Sequence, residues 1–125
     1  MLALSGHRDL IVWQRSVSLA RNVYAATANA VTEGTNDLAV QIRRSAVLVA
    51  STIAEGAACS RPAEFRHLLS AARSSLCELE AQVMIATDLR IVSGNIPLEN
   101  DITELRQLLA ALIRKLSEKQ PSPRV

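Results

Sequence analysis

Glu64 and His67 form a Glu-x-x-His step, a ligand pair used by di-iron helical proteins. Such a centre needs two of these steps, with further carboxylates projecting inward from the other helices. The only other histidine is His7, close to the start of the chain. No metal site is therefore read here, and His67 is expected to be a solvated helix residue. Ser74-Ser75 has no Ser-His-Asp order around it, and the chain contains no glycine-rich phosphate loop. The serine pair is expected to mark a place where helices pack closely. Cys59 and Cys77 lack metal-ligand or redox spacing and read as reduced thiols. Cys77, at the edge of an apolar stripe, should pack as a small hydrophobe. Glu78 and Glu80 flank that stripe and are candidates for pairing between subunits. No catalytic residue, cofactor or small-molecule substrate is expected, so the chain reads as non-enzymatic.

A second kind of chemistry is charge. The net charge is only +2, but the basic residues are nearly all arginine, with Lys115 and Lys119 the two lysines. Arginine suits phosphate and desolvated ion pairs better than lysine does. Arg8, Arg15 and Arg21 lie near the start, and Arg114, Lys115, Lys119 and Arg124 near the end. If the first and last helices lie side by side, these cations form a patch for a nucleic-acid backbone, with strong salt dependence. The opposing reading is a solvated surface balanced by Glu104 and Glu118. The three aromatic residues, Trp13, Tyr24 and Phe65, offer no stacking set for sequence-specific single-strand recognition.

These side chains must be carried by helices. A chain of 125 residues supports one domain with one core, here taken as residues 1–120 with a frayed tail at 121–125. Leu, Ile, Val and Ala must build that core, which suits closely packed helices. Periodicity predicts four helices, over about 9–31, 37–55, 61–92 and 101–118. On the first, Leu10, Trp13, Val17, Ala20, Tyr24 and Ala28 fall on one face, with Arg8, Arg15 and Asn22 roughly opposite. Gly34 closes it, and Thr35 or Asn36 can cap the second. Gly56 is expected to stop the second helix. Ser60 can cap the third, with Pro62 in its first turn and Glu64 suited to its amino end. The core stripe of the third is Phe65, Leu68, Leu69, Ala72, Leu76, Leu79, Val83 and Ala86. Gly94 and Pro97 interrupt the pattern. Asp101 and Glu104 resemble a capping box opening the fourth helix, whose stripe is Ile102, Leu105, Leu109, Leu112, Ile113 and Leu116. Short connections favour antiparallel neighbours, so the expected fold is all-α, an up-down-up-down antiparallel four-helix bundle. The start "MLALSGHRDL" lacks the pattern of a signal peptide, and no apolar run reaches the ~18 residues of a membrane span. A cytoplasmic protein without membrane contact is expected.

The second helix is apolar all round. Leu38, Ile42, Val49 and Ile53 share one side; Val40, Val47, Leu48, Ser51, Ala54 and Ala58 lie on the reverse. A helix of this kind is normally buried all round, and one chain of four helices cannot cover both sides of one member. Each Val or Leu buried is worth roughly 1.5–3 kcal/mol, so the reverse side is expected to be covered by another copy. Its charges also run against the helix dipole, with Arg43 and Arg44 early and Glu55 in the last turn. Arg44 and Glu55 share the outer face within about 20° but stand about 16 Å apart along the axis. Opposite charges on a neighbouring subunit would compensate them. The expected interface is Val40, Arg44, Val47, Leu48, Ser51 and Glu55.

The segments "DLIVWQRSVSLARNVY", "QIRRSAVLVASTIAEG" and "EFRHLLSAARSSLCELEAQVMIA", with the final leucine-rich helix, resemble the four helix bundle protein family. Its members include proteins encoded in intervening sequences of bacterial 23S ribosomal RNA genes. The most specific matches are Trp13 after Asp9-Leu10, Gln41-Ile42-Arg43-Arg44, Ile53-Ala54-Glu55-Gly56, and Ser75-Leu76 with Glu78-Leu79-Glu80. The resemblance implies a bundle closing into a homopentameric ring and makes structured RNA or other nucleic acid the expected partner. Related accessory proteins of diversity-generating retroelements are similar pentamers that bind nucleic acid and a reverse transcriptase. A ring serving only as a protein-interaction scaffold is the alternative. The chain departs from the pattern at Thr52, where the family commonly has Asn, and at Cys59, where a basic residue is common. It also lacks a Phe-Pro near the end of the first helix. The sparse basic charge after Glu55-Gly56 weakens a phosphate-binding role for that loop.

Overall fold

The computed structural model describes residues 10–32 and 37–119, and among these every regular element is a helix. Helix α1 spans Ile11–Ala26, the short α2 Ala28–Thr32, α3 Asp37–Ala57, α4 Pro62–Asp88 and α5 Leu98–Lys119. The four long helices touch in a closed cycle, α1 with α3, α3 with α4, α4 with α5, and α5 with α1. At the centre lie Leu19, Val23, Ile42, Val49, Ile53, Leu69, Leu76, Leu79, Ile102, Leu105 and Leu109, all almost without solvent contact. The core stripes expected for α3, α4 and α5 are largely the ones observed. Leu38, Phe65, Leu112, Ile113 and Leu116 sit at its margin, packed against it but partly exposed.

Several helix ends differ from expectation, each for a visible reason. The first helix does not run unbroken to Val31; it breaks at the fully buried Thr27. There the Ser93 N–H donates to the Ala26 carbonyl at 2.9 Å, and Arg43 Nη2 donates to the Tyr24 carbonyl at 3.0 Å. Two carbonyls at the break thus have donors from outside the helix, which is what permits a kink. Gly56 is not a stop, since α3 continues through Ala57. It is a buried contact point: a Cβ there would stand 2.9 Å from Phe65 Cδ1 and 3.1 Å from Leu68 Cβ. Glycine lets the end of α3 lie against the start of α4. Ser60 does not cap α4; Arg61 holds that position with no side-chain capping bond. Asp101 and Glu104 form no capping box, because α5 opens earlier, at Leu98. Both reach across to α1 instead. Gly34, Thr35, Asn36 and the tail at 121–125 lie outside the described residues.

The end of α4 uses an unusual residue. Ile91 N–H donates to the Ala86 carbonyl at 2.8 Å and Arg90 N–H to the Thr87 carbonyl at 3.0 Å. These are the paired bonds of a Schellman cap, whose left-handed position is normally glycine. Here that position is Arg90, with φ 59°, a conformation costing a side-chain-bearing residue about 1–2 kcal/mol. Its exposed guanidinium makes no ion pair among the described residues. Arg90→Gly should therefore raise stability by about 0.5–1 kcal/mol, the gain being trimmed by glycine's greater freedom when unfolded. A denaturation midpoint that stays put or falls would contradict this.

Candidate assembly face and the basic residues

Helix α1 is rotated from its expected setting. Of the stripe Leu10, Trp13, Val17, Ala20, Tyr24 and Ala28, none is fully buried: Leu10, Trp13 and Ala20 pack against the core from its margin, Val17 is half-buried, and Tyr24 and Ala28 are exposed. The fully buried set is Val12, Ser16, Leu19, Val23 and Ala26, centred up to one residue earlier on the helix. Two apolar stripes compete on this helix, and the polar partners of α1 lie on α5. Asn22 Nδ2 donates to Asp101 Oδ2 at 2.8 Å, and Arg15 pairs with Glu104. Arg15 and Asn22 are seven residues apart and so share a face. That face looks at α5, which turns the Leu19–Val23 stripe inward. Ser16 tolerates burial because its hydroxyl donates to the Trp13 carbonyl at 2.7 Å.

The margin of this stripe also reaches the surface. Trp13, Val17 and Ala20 now form one wall of an open groove whose other wall is Val47, Ala50, Ser51 and Ala54 of α3. The lining is almost wholly apolar or small. Beside it stand Val40, Val47 and Leu48, exposed by 41%, 44% and 53%, with Tyr24 at 45%. Ser51, Arg44, Glu55 and Ala58 are exposed on the same ridge. Neither Arg44 nor Glu55 forms an ion pair among the described residues. All six residues expected at an interface are thus on the outside of α3. The groove added by α1 escapes a reading that places Trp13 and Val17 in the core.

Arg43 is explained within the chain. Its Nε donates to Thr27 Oγ1 at 2.8 Å, and its guanidinium lies 4.2 Å from the centre of the Tyr24 ring. The Thr27 hydroxyl in turn donates to the Val23 carbonyl at 2.8 Å. A charge that is unfavourable early in α3 is favourable here, because it caps the carboxyl end of α1.

Arg15 is held by Glu104 on the α1–α5 seam. Arg21 is exposed on α1, and Arg114 and Lys115 on α5. Arg8, the Lys119 side chain and Arg124 lie outside what is described. On the opposite seam, Arg106 pairs with Glu80 at 2.8 Å. Arg73 is exposed and Arg66 half-buried on α4; periodicity does not single these two out, because they fall between apolar positions of a core helix. Cys77 is exposed rather than packed at the core edge. Ser74 is exposed and Ser75 half-buried. Glu64 and His67 both face solvent, with Glu64 3.7 Å from Arg61. Among the described residues no three His, Cys, Asp or Glu side chains gather as metal ligands. No described helix is long and apolar enough to cross a membrane.

The family model described as 23S rRNA-intervening sequence protein matches residues 8–117. No curated protein sequence matches the chain.

Proposed function

Because the chain belongs to the 23S rRNA-intervening sequence protein family, we propose that it is a non-enzymatic, self-assembling protein of the cytoplasm. Its fold on this reading is an up-down-up-down antiparallel four-helix bundle whose copies close into a homopentameric ring. The observation that carries self-association is the apolar outer face, where the Trp13–Val17–Ala20 wall of α1 meets Val47 and Ser51 of α3, with Val40 and Leu48 exposed beside them. Contiguous apolar surface rimmed by polar residues marks association sites in soluble proteins. The number five rests on the family resemblance alone.

The assembled ring acts as an accessory protein that binds structured RNA or another nucleic acid through its phosphates. One copy offers a thin set of cations: Arg21 on α1, Arg66 and Arg73 on α4, and Arg114 and Lys115 on α5. Repetition around a ring multiplies each contact by raising the effective concentration of the next. Binding to a long structured RNA is expected at low salt and should fall steeply across a salt series, as displaced counterions reassociate. An intact oligomer with no binding at low ionic strength would eliminate the nucleic-acid reading. That outcome would leave the second reading, a ring presenting identical surfaces to a protein partner. The second reading is favoured by the ion pairs that occupy Arg15, Arg61 and Arg106. The closure of copies is tested separately by mass: light scattering should report a multiple of 13.5 kDa at micromolar protein.

A further inference from the structure

Resting on the nucleic-acid reading, we propose that the phosphate-binding surface is the α4–α5 seam, through Arg66 and Arg73 of α4 and Arg114 of α5, and that it takes the backbone of a base-paired RNA stem rather than unpaired bases. Arg66, Arg73 and Glu80 follow one another at seven-residue steps. Such steps stay on one face of a helix, drifting by only about 20° each. That face of α4 looks toward α5, because Glu80 pairs with Arg106 at 2.8 Å. The two helices run in opposite directions: Val83 and Thr87 stand beside Leu98, Glu99 and Asn100, and Glu80 stands beside Arg106. Arg73 lies as far back along α4 from Glu80 as Ile113 lies forward along α5 from Arg106. Arg73 and Arg114 therefore face each other across the seam, with Arg114 turned about 80° from Arg106 toward solvent. Arg66 is two turns further along α4, about 10 Å.

Little acid cancels these cations. Glu80 is committed to Arg106. Glu64 stands beside Arg61, and Glu78 lines the α3–α4 groove; both are about 160° around α4 from Glu80. Helix α5 carries no acid between Arg106 and Ser117, and Glu118, one turn beyond Arg114, makes no ion pair with it. Asp88 and Glu99 lie past Glu80, at the other end of the seam. None of Arg66, Arg73 and Arg114 has an ion-pair partner among the described residues. Ser70, Ala110 and Ser117, on the same faces, are short and let a backbone come close. All three aromatic residues are engaged elsewhere: Trp13 in the α1–α3 groove, Tyr24 beneath Arg43, and Phe65 against Gly56. The seam thus has cations for phosphate and no ring on which an unpaired base could stack, which suits double-stranded RNA. In the cycle of helix contacts the α4–α5 seam lies across the bundle from the α1–α3 groove. Copies that cover the groove leave the seam open.

The test measures binding of the assembled full chain to a long base-paired RNA stem and to an unstructured single strand of equal length. Arg73→Gln combined with Arg114→Gln should weaken stem binding at low salt by at least about tenfold and flatten its salt dependence, with the mass by light scattering unchanged. Adding Arg66→Gln should deepen the loss. Arg90→Gln, which removes the same charge from just past the end of α4, should leave binding near wild type. A double variant that binds the stem as tightly as wild type, or an Arg90→Gln loss as large as that of the double variant, overturns the seam and leaves the nucleic-acid reading standing. Equal affinity for the stem and the single strand overturns the choice of a base-paired ligand. A wild-type oligomer that binds neither RNA at low salt overturns both the seam and the reading it rests on.

Discussion

Val47→Glu is expected to run as a folded monomer of 13.5 kDa under conditions where the wild-type chain is oligomeric. Val47 is 44% exposed in a single copy and lines the α1–α3 groove. In an isolated chain the substitution changes little: exposed sites away from special features tolerate change within about 0.5 kcal/mol, and Glu is a better helix former than Val. At an apolar contact the same substitution removes a buried side chain worth roughly 1.5 kcal/mol or more and puts an unpaired carboxylate out of water. The second effect is the larger, typically several kcal/mol. Together they shift association by at least about a hundredfold per contact, since each 1.4 kcal/mol is a factor of ten. The checks are light scattering for mass and far-ultraviolet circular dichroism for retained helix. A Val47→Glu chain that still assembles at wild-type affinity would place the contact elsewhere on the molecule.

Arg43→Met should cost about 2–4 kcal/mol of folding stability, the largest effect expected from any partly exposed side chain here. Arg43 donates to Thr27 Oγ1 at 2.8 Å and to the Tyr24 carbonyl at 3.0 Å. Hydrogen bonds to a charged group are worth roughly 1.5–3 kcal/mol each, and the stacking on Tyr24 adds about 0.5–1 kcal/mol. Methionine keeps the length and apolar stem, which limits the loss of packing, and the Thr27 hydroxyl retains its bond to the Val23 carbonyl. Arg43→Lys should recover only part of the loss, because an ammonium cannot span both acceptors with a planar fork. Because self-association adds concentration-dependent stability, the denaturant midpoints are best compared in the Val47→Glu background. Equal midpoints with and without the Arg43→Met substitution would show that the α1 break is held by Ser93 and the core alone.

Much of the fold was legible in the order of residues. The periodic stripes of α3, α4 and α5 lead directly to the buried sets around Ile53, Leu76 and Leu105, because each of these helices has one side rich in large aliphatics. The double-sided character of α3 was legible for the same reason: Val40, Val47 and Leu48 sit where charge belongs on an ordinary outer helix. The setting of α1 was not legible. Its two apolar stripes differ little in hydrophobicity, so periodicity alone cannot rank them. Placing Trp13 and Val17 in the core then hides half of the candidate assembly face.

Composition and spacing by themselves determined an all-helical chain, the inward side of three long helices, and an α3 that carries aliphatic residues on its outer side as well. Those are properties of single helices, and a local pattern carries them. Only the tertiary structure decided which side of α1 faces in, that Arg43 caps α1 rather than burdening α3, that Arg15 is tied to Glu104, and that Gly56 is a contact rather than an end. Each of these depends on partners far apart in the chain, brought within a few ångströms by packing, and no window along the sequence contains both members.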